Sequence, residues 1–327
     1  MTSAVELTSR LRRPWAASIR RSAYASFAVA LLVLFLITNI SIEPKAFEPS
    51  GLLTTIGLAS PIVLAAVANT PAILSGGGGI DLSVGPLMSL VGAIVVVGVI
   101  QHAGSSSPAV ILPVALGSGI VSGLGNGFLV VIVRLQPIVA TLGTYLVYIG
   151  ITLLIAPEPT GTVPGWLAAM AGTGSLPLLA SVLLLWGALS RTPFYSKLMA
   201  TGGDDRAAYA AGIPVTSVRW AAYAISGFLA ATAGLSLTAV LASVDPNAGA
   251  QYTLLGIAAA ALGGVSLAGG RGGMLGAVVG GVNIFLIENI LTYYTGSAFI
   301  EQFAYGIVLV MAVIGNSFTS RWAWQGP

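Results

Sequence analysis

The sequence predicts an all-α integral membrane protein of about ten transmembrane helices, and three observations predict it. Only 7% of the 327 residues are charged and 56% are hydrophobic, whereas roughly 25% are charged in ordinary globular chains. Such a chain cannot cover a water-facing surface with charge. Its apolar stretches run to about 20 residues each, the length that crosses a hydrocarbon layer. The third observation is that the basic residues fall between these stretches rather than on one face, which argues against nucleic acid as the partner of the +3 net charge.

In chain order the expected helices are 24–40, 51–74, 83–101, 109–133, 137–156, 175–190, 217–242, 252–268, 274–291 and 300–317. The start carries Arg10, Arg12, Arg13, Arg20 and Arg21 ahead of the first apolar run and so looks like a signal sequence. No small-x-small cleavage site follows in residues 41–45, so an uncut anchor is expected. With the N-terminus cytoplasmic, the inside segments hold those five arginines with Arg134, Arg191, Lys197, Arg206, Arg219, Arg271 and Arg321, and the outside holds Lys45 alone. That division, 12 of the 13 basic residues on one side, is what the positive-inside rule demands. An even number of crossings returns the C-terminus to the cytoplasm. The expected organisation is a cytoplasmic tail 1–23, a membrane domain 24–317 with a cytoplasmic loop 191–216, and a cytoplasmic tail 318–327. Two repeats of five helices would stand in inverted orientation, an arrangement common in transporters.

Pro61 and Pro71 in the second stretch, Pro113 in the fourth and the Gly76 to Gly79 run before the third are expected to interrupt the spans. In lipid, a broken helix is tolerated where its freed backbone groups face protein or a water-filled cavity. Small residues also recur at spacing four, as in Gly119, Gly123 and Gly127 and in Gly272, Gly276 and Gly280. That spacing puts them on one helix face and lets backbones approach closely.

Asp81 lies between two long apolar stretches, and two readings of it are open. Its oxygen could cap the third helix by accepting from the amide near Val84, or it could serve a solute pathway or gate, as ionisable groups at membrane depth commonly do. Ser83, Asn126, Thr141 and Asn283 are further translocation-path or gate candidates. Interhelical hydrogen bonding accounts for any one of them equally well.

In the loop 191–216 a short helix is expected from about Asp205 to Ala211. Asp204 suits its N-cap, Gly212 a left-handed C-terminal cap, and Pro214 forbids continuation. A short, well-delimited helix outside the membrane, carrying Tyr209, has reason to dock on a partner.

Catalytic patterns are missing from the sequence. There is no cysteine, hence no thiol chemistry or thiolate metal site. Lys45 and Lys197, the two lysines, lack the glycine spacing of a phosphate-binding P-loop. No Gly-x-Ser-x-Gly or His-Glu-x-x-His pattern occurs either. The chain is expected to be no enzyme, to bind no cofactor or metal, and to borrow energy from a partner or a gradient.

Several motifs together resemble the ribose-type ABC sugar permeases. They are Gly78-Gly-Ile-Asp-Leu-Ser-Val-Gly85, Gly125-Asn-Gly127 followed by Pro137-Ile-Val-Ala-Thr-Leu-Gly143, and Leu262-Gly-Gly-Val-Ser-Leu-Ala-Gly-Gly-Arg-Gly272. The resemblance runs from about residue 50 to 317. It implies a permease subunit moving a sugar or similar small polar solute across the cytoplasmic membrane, with ATP and Mg held by a separate cytoplasmic ATPase. It also implies an extracytoplasmic solute-binding protein and a second permease copy or a sister permease. Gly202, Gly203, Asp204, Asp205, Arg206, Ala207, Tyr209 and Gly212 would then form the region that contacts the ATPase. The family form Gly-Asn-x-x-Ala-Ala-x-x-x-Gly-Ile appears here as Gly203-Asp-Asp-Arg-Ala-Ala-Tyr-Ala-Ala-Gly-Ile213, with Asp204 in place of Asn. A permease for branched-chain amino acids or nucleosides, a gradient-driven secondary transporter and a membrane enzyme are the competing readings.

Overall fold

The computed structural model describes residues 14–297 together with 299–300, 303–304, 306–307 and 310–311, with side chains from Phe27 onward. Every regular element among them is helical, and one isolated bridge, Thr160 with Val244, is the sole extended pairing. The elements are α1 (Pro14–Ile42), a 3-10 turn (Pro44–Phe47), α2 (Pro49–Leu74), α3 (Val84–Ala93) with a π-helical continuation (Ile94–His102), and α4 (Pro108–Gly127) with a π-helical end (Phe128–Ile132). There follow α5 (Pro137–Ile155), α6 (Gly165–Ala168) running into a 3-10 turn (Ala169–Ala171), α7 (Ser175–Ser190), α8 (Pro193–Gly203), α9 (Asp205–Ala210), α10 (Val215–Leu241), α11 (Gln251–Leu262) and α12 (Met274–Thr295). Proline opens α1, α2, α4, α5 and α8, where its fixed φ suits the first turn and its missing N–H costs nothing.

Among the described residues, six helices are long and apolar enough to cross a membrane: α2, α3 with its continuation, α4 with its end, α5, α10 and α12. The α6–α7 pair, bent by 77°, makes a seventh if counted as one span. The apolar part of α1 (Phe27–Ile42) and α11 are shorter apolar helices. Of the helix expected at 300–317, the described residues are few, and they are helical.

Several expectations need correction. Pro61 and Pro71 do not interrupt α2, nor Pro113 α4; each helix runs through. In α2 every residue from Ala59 to Leu74 is buried, so neighbouring helices hold the backbone where two ladder bonds are missing. The helix expected at 252–268 stops at Leu262, because Gly263 packs against the Gly276 backbone and Gly264 turns left-handed at φ 87°. Among the described residues the helix expected at 24–40 extends over Pro14–Ile42. Within the loop 191–216 an additional helix, α8, precedes the short one.

α10 lies at the centre, packed on α2, α3 and α4. The α4–α10 contact is built from the expected glycine face. A Cβ on Gly119 would strike the Gly227 carbonyl, one on Gly227 would strike the Gly119 carbonyl, and one on Gly123 would strike the Tyr223 carbonyl. Helix backbones therefore touch directly, the usual means of association where no hydrophobic force acts between helices. On the second ladder Gly280 does the same against Ala259 of α11 and Gly276 against Gly263 just past its end, while Gly272 sits in the preceding loop at φ 100°. Away from this core, α4 and α5 present bare apolar side chains, with Val121 70%, Leu146 63% and Leu154 86% exposed. A patch of this kind is at home against lipid or another protein.

Candidate functional site

Between α2 and α3 the chain leaves helix for residues 75–83. Gly76, Gly77 and Gly78 all take positive φ, from 64° to 73°, a run that only glycine adopts without strain. The turn carries Asp81 back into the bundle, where it is 2% exposed. Its Oδ1 accepts from the Ser83 amide at 2.9 Å and from the Ser83 hydroxyl at 2.7 Å. The amide it holds is that of Ser83, the residue directly before the helix opens at Val84.

From α4, Asn126 reaches the same place. Its Nδ2 donates to Ser83 Oγ at 2.7 Å and stands 3.4 Å from both Asp81 oxygens. Its Oδ1 accepts from the Thr144 hydroxyl at 2.7 Å. Thr141, one turn earlier on α5, donates to the Pro137 carbonyl at 2.9 Å and accepts from the Leu82 amide at 3.1 Å. The Leu82 carbonyl in turn accepts from Thr253 of α11 at 3.2 Å. Asp81, Ser83, Asn126 and Thr141 are all buried and form one connected network joining the loop to α4, α5 and α11. Networks of this kind specify a unique arrangement when every member is satisfied. Among the described residues no Lys, Arg or His pairs with Asp81.

Asn283 does not join them. It lies on α12, and its Nδ2 donates to the Ala28 carbonyl of α1 at 3.0 Å. Asn289 of α12 likewise donates to Asn39 of α1 at 2.8 Å, and Asn39 donates to the Leu286 carbonyl at 3.1 Å. These amides stitch α12 to α1. The network also includes Thr144 and Thr253, which were not among the candidates. Thr144 was within reach of sequence reasoning, since it stands three residues from Thr141 on one helix face. Thr253 was not, because 171 residues separate it from Leu82.

The short helix α9 has the ends expected of it. Asp204 Oδ1 accepts from the amides of Arg206 and Ala207, both at 3.0 Å. At the other end the Ile213 amide donates to Ala208 O at 3.0 Å and the Gly212 amide to Tyr209 O at 2.9 Å, with Gly212 at φ 81°. That pair of bonds is the Schellman motif. Asn and Asp cap helices about equally well, so the Asp204 departure from the family form leaves the helix end intact. Tyr209 is 76% exposed on this helix.

Just before α9, the backbone of Gly202 touches two other segments. A Cβ there would strike the Leu74 carbonyl and sit 2.5 Å from the Gly270 amide, and a Cβ on Gly76 would sit 2.7 Å from Gly202 Cα. The Gly270 amide donates to Leu74 O at 3.1 Å. Three glycine-bearing segments thus meet backbone to backbone: the loop that leads to Asp81, the approach to α9, and the loop after α11. Gly203 faces open space.

The family model described as the permease component of the branched-chain amino acid transport system matches residues 51–314. The ribose import permease protein of Bacillus subtilis (strain 168) is 36% identical over 296 residues, covering 88% of this chain and 90% of the relative. The galactofuranose transporter permease protein of Escherichia coli (strain K12) is 38% identical over 235 residues, 69% of this chain and 67% of the relative. The autoinducer 2 import system permease protein of Salmonella choleraesuis (strain SC-B67) is 30% identical over 306 residues, 90% of this chain and 86% of the relative. No solved structure matches. A match of this extent, joined to an all-helical apolar bundle, places the chain in the permease-component family of ABC importers, among the ribose-type sugar permeases.

Proposed function

We propose that this chain is the transmembrane permease subunit of a binding-protein-dependent ABC importer that moves a sugar or similar small polar solute across the cytoplasmic membrane. ATP with Mg is hydrolysed on a separate cytoplasmic subunit, an extracytoplasmic binding protein delivers the solute, and a second permease copy or a sister permease completes the pathway. Relatives named for ribose, galactofuranose and autoinducer 2 import support the solute class.

The observation that carries the mechanism is α9: six residues, capped at both ends, with Tyr209 exposed and Gly202 beside it packed on the loop to Asp81. A helix this short is unstable alone, so its closed caps and exposed aromatic favour a docking element. The exposed residues from Gly203 to Gly212 would receive the ATPase, with Gly202 buried behind them, and the Asp81, Ser83, Asn126 and Thr141 network would stand on the solute path or its gate. ATP-driven movement of α9 then favours one of two arrangements of the bundle, which requires that partners bind the two arrangements differently.

The same reading takes the membrane domain as 24–317 with ten spans and both termini inside. The six long helices, the bent α6–α7 pair, α1, α11 and the stretch 300–317 make up that number. α11, at about 18 Å, is eked out by the non-helical segments on either side of it. The 12 of 13 basic residues on one side support the orientation, and five spans per half would make the repeats inverted.

Reconstitution tests this. Vesicles holding the chain with its ATPase subunit and binding protein should take up solute only with ATP. Uptake by the chain alone, driven by an ion gradient, would make it a secondary transporter instead.

A further inference from the structure

Arg219 stands in the second turn of α10 and meets two segments remote from it in sequence. Its Nε donates to the Ser75 carbonyl at 3.2 Å, and its Nη2 lies 3.2 Å from Asp205 Oδ2. Ser75 is the first residue past α2, where the loop to Asp81 begins; Asp205 is the first residue of α9. The guanidinium also rests on the loop itself, because a Cβ on Gly77 would sit 2.7 Å from Nη2 and 2.9 Å from Cζ. Its side chain is 19% exposed and that of Asp205 47%.

An ion pair whose carboxylate end is half-exposed contributes little to stability, so holding the fold together is a poor account of this one. What distinguishes it is geometry. The planar fork of an arginine can hold two acceptors in fixed relation, and here the two acceptors belong to α9 and to the Asp81 loop.

We propose that Arg219 is a positioning residue that transmits displacement of α9 to the loop carrying Asp81. The inference rests on the reading of α9 as the ATPase contact. Movement of Asp205 draws on the guanidinium, and the guanidinium draws on Ser75 O. The three left-handed glycines that follow give the loop backbone freedom to move. Its far end is Leu82, held by Thr141 and Thr253. Leu82 faces a cleft of about 220 Å³ that it lines with Leu142, Tyr145, Ala250, Thr253 and Leu254. The cleft is therefore where the displacement should be felt.

The cysteine-free sequence makes this measurable without knowing the solute. Leu142→Cys places a single thiol in the cleft. In the assembled importer, its rate of modification by a small thiosulfonate reagent is compared without nucleotide and after trapping with ATP and vanadate, at equal trapped nucleotide. Replacing Arg219 by Gln should shrink the nucleotide-dependent change from roughly tenfold to about twofold or less. Asp205→Asn, at a half-exposed side chain, should do the same and decides the matter alone if the Arg219 variant does not assemble. A full change surviving in these variants while Tyr209→Ala abolishes it would overturn the role of Arg219 and leave the α9 reading standing. A full change surviving in all three would remove both.

Discussion

Asn126 gives its side-chain N–H to the Ser83 hydroxyl at 2.7 Å while its carbonyl takes the Thr144 hydroxyl at 2.7 Å. One amide thus holds the Asp81 loop to α4 and α4 to α5. Replacing Asn126 by Leu strips a partner from the buried Ser83 hydroxyl and from the part-buried Thr144 hydroxyl and should cost about 1–3 kcal/mol, seen as a lower melting temperature in detergent. Transport should fall further than that loss of stability explains, because the loop also loses its register. Unchanged uptake at full stability would remove the network from the transport path.

Gly119 and Gly227 each block a side chain on the other. Gly227→Ala forces α4 and α10 apart and should destabilise by about 1–3 kcal/mol. Gly143 of α5 faces open space, so Gly143→Ala should be neutral or gain up to about 1 kcal/mol from helix propensity. Thermal unfolding of the two variants side by side checks the contrast.

Neighbouring glycines should behave differently at the approach to α9. Gly202→Ala meets the Leu74 carbonyl and the Gly270 backbone, whereas Gly203→Ala meets nothing within 4 Å. Expression and assembly with the ATPase should fail for the first and hold for the second. Equal behaviour would mean that the three-glycine junction is not where the segments are fixed.

At the N-cap, Asp204→Asn should change little, and Asp204→Ala should cost about 0.5–2 kcal/mol of local helix stability. Amide exchange over residues 205–210 reads this directly, with faster exchange expected in the alanine variant alone.

How much of this was legible in the sequence follows from the range of each interaction. The ends of α9 could be read because caps act within three residues: Asp204, Gly212 and Pro214 settle them locally. The α4 glycine face was legible because spacing by four is a property of one helix. The meeting of Gly76, Gly202 and Gly270 was not, since each glycine alone reads as a turn residue and their contact joins segments 68 to 194 residues apart. Arg219 looked like one more cytoplasmic-side cation, and its partners Asp205 and Ser75 lie 14 and 144 residues away. Asn283 looked like Asn126, a lone amide in a span, and only packing shows that one serves α1 and the other Asp81. Proline misled at Pro61 and Pro71, where burial on every side outweighs the lost backbone bonds.

The account turns on α9 as the surface through which ATP acts. Its most direct test is the ATPase activity of the reconstituted importer, with and without solute-loaded binding protein, in Tyr209→Ala and Arg206→Glu variants whose helix ends are intact. We expect the stimulation by loaded binding protein to fall by at least about fivefold, the scale of an ordinary coupling free energy, with uptake falling alongside it. Full stimulation and full uptake in both variants would contradict the account.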